Sequence, residues 1–162
     1  MRSLAVGLLL GISAAAVAEE ATFSVRQLTP ETALTLAQAA MELCRKQGFQ
    51  VAVAVADRGG IVQVLLRDRF AGPHTVDTAI SKAWTAVSFR TSTLELMENT
   101  APNKPASGVR HLPRVAAIGG GVLIEAKGSI LGAVGVSGAP SGTNDDACAK
   151  AGIKAIADRL EF

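Results

Sequence analysis

Apolar residues at Ala33, Leu34, Ala37, Ala40, Met41 and Cys44 recur at the three-to-four spacing of a helix. Thr29 supplies an N-cap for it, Pro30 suits its first position, and Gly48 stops it. The pattern then changes. Val51 to Ala56 is a nearly continuous Val/Ala run that reads as a buried strand. Asp57-Arg58-Gly59-Gly60 has the chemistry of a turn, and Ile61 to Arg67 is the returning strand of a hairpin.

Pro73 opens a second helical region, in which Val76, Ala79, Ile80, Ala83, Trp84 and Val87 form an apolar stripe. Asp77, Ser81, Lys82 and Ser88 fall mostly on its other side. Ser92-x-x-Glu95 has the form of a capping box for a short helix ending near Asn99. Thr100 to Pro113 reads as a long loop, of a kind that is usually a binding or mobile segment. A second hairpin joins Val122–Glu125 to Ile130–Val136 across Ala126-Lys127-Gly128-Ser129. Thr143 is placed to cap a last helix, Asn144 to Leu160, with Asp145 and Asp146 complementing its positive end. The order helix, hairpin, helices, hairpin, helix predicts one α+β domain, an antiparallel sheet with helices packed on it.

The first eighteen residues stand outside that pattern. Arg2, the apolar run Leu4–Ala15 and the small residues Ala16-Val17-Ala18 have the three-part layout of a cleaved signal peptide. The run is shorter than the roughly 20 residues a bilayer span needs. The expectation is therefore an exported domain over residues 19–162, periplasmic or extracellular and without membrane insertion.

Composition narrows the partners. With 16 Lys+Arg against 14 Asp+Glu, the net charge of +2 is too small for binding nucleic acid by phosphate neutralisation. An aromatic share of 4% with no Tyr argues against base stacking. The glycine runs Gly119-Gly120-Gly121 and Gly132-x-x-Gly135-x-x-Gly138 lack the Lys-Ser/Thr and the strand-to-helix context of a phosphate loop, so close packing or turns account for them better. Val136-Ser137-Gly138 lacks the first glycine of a nucleophile elbow. Glu95 and Glu98 face one way at i, i+3, as a solvated face or a surface iron site. Cys44 and Cys148 are either a disulfide, if the strand after the first helix and the strand before the last are antiparallel neighbours, or two small buried thiols.

Four ordered motifs carry a family likeness: Val51-Ala52-Val53-Ala54-Val55-Ala56-Asp57-Arg58-Gly59-Gly60; Asp77-x-x-Ile80-x-Lys82-Ala83-x-Thr85-Ala86; Gly120-Gly121-Val122; and Lys127-Gly128-x-Ile130-Leu131-Gly132-Ala133-Val134-Gly135-Val136-Ser137-Gly138. Together they resemble the GlcG/HbpS-like family, also found as the C-terminal domain of some cobalamin adenosyltransferases, over roughly Leu28 to Leu160. The resemblance implies a profilin-like α+β fold and homo-oligomers, often octamers. For exported members it implies haem binding, in some cases linked to haem degradation or iron capture. Two positions depart from the family pattern: Leu123 where Pro is common, and Trp84 where Arg is usual. The indole suits a porphyrin pocket, a core or a subunit interface alike.

The leading expectation is thus an exported, oligomeric haem-binding protein that sequesters haem or passes it on. Of the two histidines, His111 is the first candidate iron ligand and His74 the second. Arg58, Lys82, Arg110 and Arg114 are candidate partners of the haem propionates, and Asp57 is expected to shape its turn. No general acid or base stands out for catalysis. The rival is a periplasmic accessory module for a dehydrogenase or transport system, with the loop around His111 as a docking site and no haem. A small organic acid or corrinoid is a third ligand class.

Overall fold

A computed structural model describes residues 20–160; residues 1–18, expected from the sequence to be a signal peptide, lie outside the described residues. Helix α1 (Pro30–Lys46) is followed by strands β1 (Ala52–Asp57) and β2 (Val62–Arg67), helices α2 (His74–Phe89) and α3 (Thr93–Asn99), strands β3 (Gly121–Ala126) and β4 (Ser129–Ser137), and helix α4 (Gly142–Lys154). The strands form one antiparallel sheet in the order β2-β1-β4-β3. This is the expected α+β fold.

The Val/Ala alternation of β1 sorts the layers. Val51, Val53 and Val55 point into the main core with Val134 and Val136 of β4, where α1 and α4 cover the sheet. Ala52, Ala54 and Ala56 point the other way, against Ala79, Ala83 and Ala86 of α2. Small residues on both sides bring α2 close to the sheet. At Gly135 an added Cβ would lie 2.0 Å from the Ala79 carbonyl oxygen, so only glycine fits.

Local signals explain the element ends. The Thr29 hydroxyl accepts from the Thr32 N–H, and the Ser92 hydroxyl accepts from the Glu95 N–H. The second hairpin turns through Lys127 and Gly128, both at positive φ, as a two-residue turn of this hand requires. In the first hairpin the Asp57 carboxylate accepts from the N–H groups of Gly59 and Ile61, the turn-shaping role expected of it. Cys44 and Cys148 form a disulfide, with Cα atoms 5.7 Å apart. The condition posed for it holds, since β1 and β4 are antiparallel neighbours.

Four expectations are corrected. The cap of α4 is Ser141, not Thr143: its hydroxyl accepts from the Asn144 N–H at 3.2 Å. The helix stops at Lys154, and the chain then turns through a short 3-10 segment, Ala157–Arg159, with Ile156 buried in the core. The stretch from Thr100 to Pro113 is not without structure, because a 3-10 turn, Ser107–His111, lies inside it. The fourth correction is the phase of α2. Lys82 is 1% exposed, and the buried side of the helix is Thr75, Ala79, Lys82, Ala83, Thr85 and Ala86. Val76, Ile80, Trp84 and Val87, larger than the flat Ala/Gly surface admits, lie only partly buried beside it.

Candidate functional site

The N-terminal ends of α2 and α4 lie side by side, and a cleft of about 360 Å³ opens between them. His74 and Thr78 line it from α2, and the loop from Ser137 to Gly142 lines it from the other side. Lys82 and Asp145 also border this cleft. The Lys82 ammonium donates to the Asp145 carboxylate at 2.7 Å and to the Val136 carbonyl at 2.9 Å. Asp145 also accepts from the Ala139 N–H at 2.9 Å, which ties the β4–α4 loop to the pair. Burial pushes the Asp145 carboxyl above its ordinary pKa, against the opposing pull of the Lys82 ammonium and the Ala139 N–H.

Thr78 and Ile118 are shared with a neighbouring cleft of about 300 Å³, which adds Asp77 and Ser81 of α2 and the stretch Arg114–Ala116. The Thr85 hydroxyl accepts from the Ala116 N–H at 3.0 Å and holds that stretch against the helix. The Arg114 guanidinium stacks over the Trp84 ring, 5.0 Å from its centroid. Sharing Thr78 and Ile118, the two clefts adjoin and are taken together as one groove, with the His74 imidazole on the first and Arg114 on the second. Ile118, 51% exposed, stands between them.

The six candidate residues separate into distinct places. His74 and Lys82 share the first cleft, and Arg114 borders the second. Lys82 is charge-compensated inside the fold rather than free for an incoming carboxylate. Arg110 turns inward: its guanidinium donates to the Thr100 and Met97 carbonyls, closing the end of α3. His111 is exposed on the 3-10 turn and does not border the groove. Arg58 lies in the β1–β2 turn, in a different cleft with Arg90 beyond the C-terminal end of α2.

Sequence reasoning missed Asp145 as a site residue, since two acids opening a helix are explained by its dipole. It also missed the Ser137–Gly142 loop and Ile118. The one usable signal was a lysine one residue before Ala83, on the helix side that also carries Ala79 and Ala86.

An antiparallel sheet covered on both faces, with a half-apolar groove at paired helix ends, defines a small-ligand-binding domain. The chain belongs to the haem degrading protein HbpS-like family, whose model matches residues 28–154. Protein GlcG of Escherichia coli strain K12 is 32% identical over 110 residues, 68% of this chain and 81% of GlcG. The crystal structure of a double mutant of Streptomyces reticuli HbpS is similar at 40% identity with a TM-score of 0.78, covering 88% of this chain and 97% of that one. A PduOC:heme complex is similar at 32% identity with a TM-score of 0.76, covering 80% of this chain and 95% of that one.

Proposed function

We propose that this chain is an exported, homo-oligomeric haem-binding protein that sequesters haem or passes it on, and that haem sits in the groove between His74 and Arg114. The family and the heme complex of a 32% identical relative support the ligand. The observation that carries the location is the groove itself, which joins an imidazole, a guanidinium and an apolar wall. Those residues fit the group. Each limb is within the size range of small-molecule sites. His74 presents the common axial donor, Ile118, Val115 and Pro140 suit the porphyrin face, and Arg114 suits a propionate. Bound haem supplies an iron that accepts such a nitrogen ligand. Of the two histidines, His74 is therefore the better placed, and His111 the less.

Binding rather than turnover is what the groove supports, because its titratable pair, Lys82 and Asp145, is closed on itself. Export rests on the signal-peptide pattern of residues 1–18. Oligomerisation is supported by apolar side chains left open near the β2 edge of the sheet, Ile61 at 67% and Leu65 at 40% exposure.

The test is an absorbance titration of the tag-free protein, lacking residues 1–18, with hemin. The expected result is a saturable Soret shift near one haem per protomer. His74→Ala should weaken it about tenfold or more, a loss of at least about 1.4 kcal/mol, and His111→Ala should leave it unchanged. No shift above the nonspecific baseline would sink the haem reading and leave the accessory module, to be pursued by partner pull-down. Loss with His111→Ala alone would move the site out of the groove.

A further inference from the structure

The end of α2 opposite His74 carries a separate cleft of about 270 Å³. Arg58 and Gly59 from the β1–β2 turn line it, with Val87, Ser88 and Arg90 from the end of α2 and Ile130 from β4. Two arginines thus line one cleft. Among the described residues neither makes an ion pair or a side-chain hydrogen bond, whereas Arg45, Lys46, Lys82 and Lys150 each hold a carboxylate. No acidic residue lines the cleft. Asp57, next in sequence to Arg58, already has its carboxylate engaged by the N–H groups of its own turn.

Arg90 adds an independent observation. It follows α2 in the left-handed conformation, φ 52° and ψ 42°, with its N–H on the carbonyls of Ala86 and Val87. Glycine is the residue that takes this position freely, and a side chain there is disfavoured. Arg90 is thus held in a disfavoured conformation on a cleft that Arg58 also lines, while on its other side it borders a cleft with Glu95 and Glu125. Sixteen helical residues at 1.5 Å each put this cleft roughly 24 Å from His74, so it is not part of the haem groove of the same protomer.

We propose that this cleft binds a small oxyanion, a phosphate or a short dicarboxylate, clamped between the guanidinium groups of Arg58 and Arg90. Planar guanidinium forks match the paired oxygens of either ligand, and Ser88 adds a hydroxyl. The carbonyl end of α2 opposes an anion with about half a negative charge. Two full positive charges outweigh it about fourfold. The site is independent of the haem reading.

The test is calorimetric titration of the protein, lacking residues 1–18, with sodium phosphate and, separately, with sodium succinate, against sodium chloride at equal ionic strength. Saturable binding of phosphate or succinate is expected, weakened about tenfold or more by Arg58→Gln and by Arg90→Gly. Hemin binding should be unchanged in both variants. Arg90→Gly relaxes the backbone, so its melting temperature should hold or rise while anion binding falls, which separates lost binding from lost folding. The proposal is overturned if neither anion binds beyond the chloride control, or if the variants bind as the wild type does. It is also overturned if Arg58→Gln weakens hemin binding instead, since the cleft would then serve a haem carboxylate of a neighbouring protomer.

Discussion

Lys82 is 1% exposed and Asp145 3%, in a domain whose other described ion pairs each keep at least one partner at the surface. Their effect on the cleft is mechanical. Through the Ala139 N–H the pair fixes the loop that forms one wall, and through the Val136 carbonyl it fixes the end of β4. Burial already raises the Asp145 pKa with Lys82 present. Removing Lys82 takes away its charge and its hydrogen bond, the two larger of the three influences that lower it, and leaves only the Ala139 N–H, so the carboxyl rises further. A carboxyl whose pKa is higher folded than unfolded favours folding at pH below its ordinary value, and that contribution is lost as pH rises through the folded value. Lys82→Met should therefore cost little near pH 4 and about 3–5 kcal/mol at neutral pH, where a buried charge has lost its partner. Adding Asp145→Asn should remove the pH dependence and restore most of the loss. Urea unfolding across that pH range reads both, and a penalty independent of pH would show that Asp145 is not the group left exposed to desolvation.

Helix α2 sets how much of the molecule could be read in advance. Its existence, its start near Pro73 and the strands beneath it follow from spacing and turn chemistry alone. Its rotation about its own axis does not. A helix laid on a surface of Ala52, Ala54, Ala56, Ala133 and Gly135 is pressed against backbone, so the small residues face inward and Val76, Ile80 and Trp84 are displaced to the flanks. Hydrophobicity ranks Trp84 above Ala79, whereas the geometry of close approach ranks them the other way. The same rotation buries Lys82, so what spacing alone reads as a free surface cation is half of a buried pair. The family likeness supplied the fold and the ligand class, but the separation of His74 from Arg58 and the inward turn of Arg110 needed coordinates. If α2 owes its placement to that flat surface, Gly135→Ala should be costly although it adds one methyl group. A Cβ 2.0 Å from the Ala79 oxygen and 2.7 Å from the Ala83 nitrogen must push the helix away. We expect a loss of about 1–3 kcal/mol, the range for overpacking, with weaker hemin binding because His74 and Thr78 move with the helix. Ala133→Gly on the same strand should instead leave the helix seated. Equal stability of Gly135→Ala and wild type would mean that the sheet yields rather than the helix.

At the scale of the whole domain, the disulfide joins residues 104 positions apart, from late in α1 to the middle of α4, and so encloses every strand together with α2 and α3. The two cysteines stand in the core where α1 and α4 meet, both fully buried. That placement depended on β1 and β4 being neighbours, a long-range fact that no local pattern of the sequence contains. Closing a loop of about 100 residues removes roughly 4.7 kcal/mol of unfolded-chain entropy in the chain-entropy account. Small domains are held by about 5–15 kcal/mol in total, so the crosslink supplies a large share. Its loss should show as a lower urea midpoint with a larger exposure of surface on unfolding, since the open chain expands further. The Cys44→Ala, Cys148→Ala double variant is the cleaner probe, because it also removes the thiols that would re-form the bond. We expect it to lose about 4–5 kcal/mol, less whatever packing the alanines recover. A loss under about 1 kcal/mol would place the stabilisation in the α1–α4 contact itself. An exported domain in an oxidising compartment would keep the bond throughout its life. The same domain in a reducing one would have to hold its fold on packing and the buried Lys82–Asp145 pair.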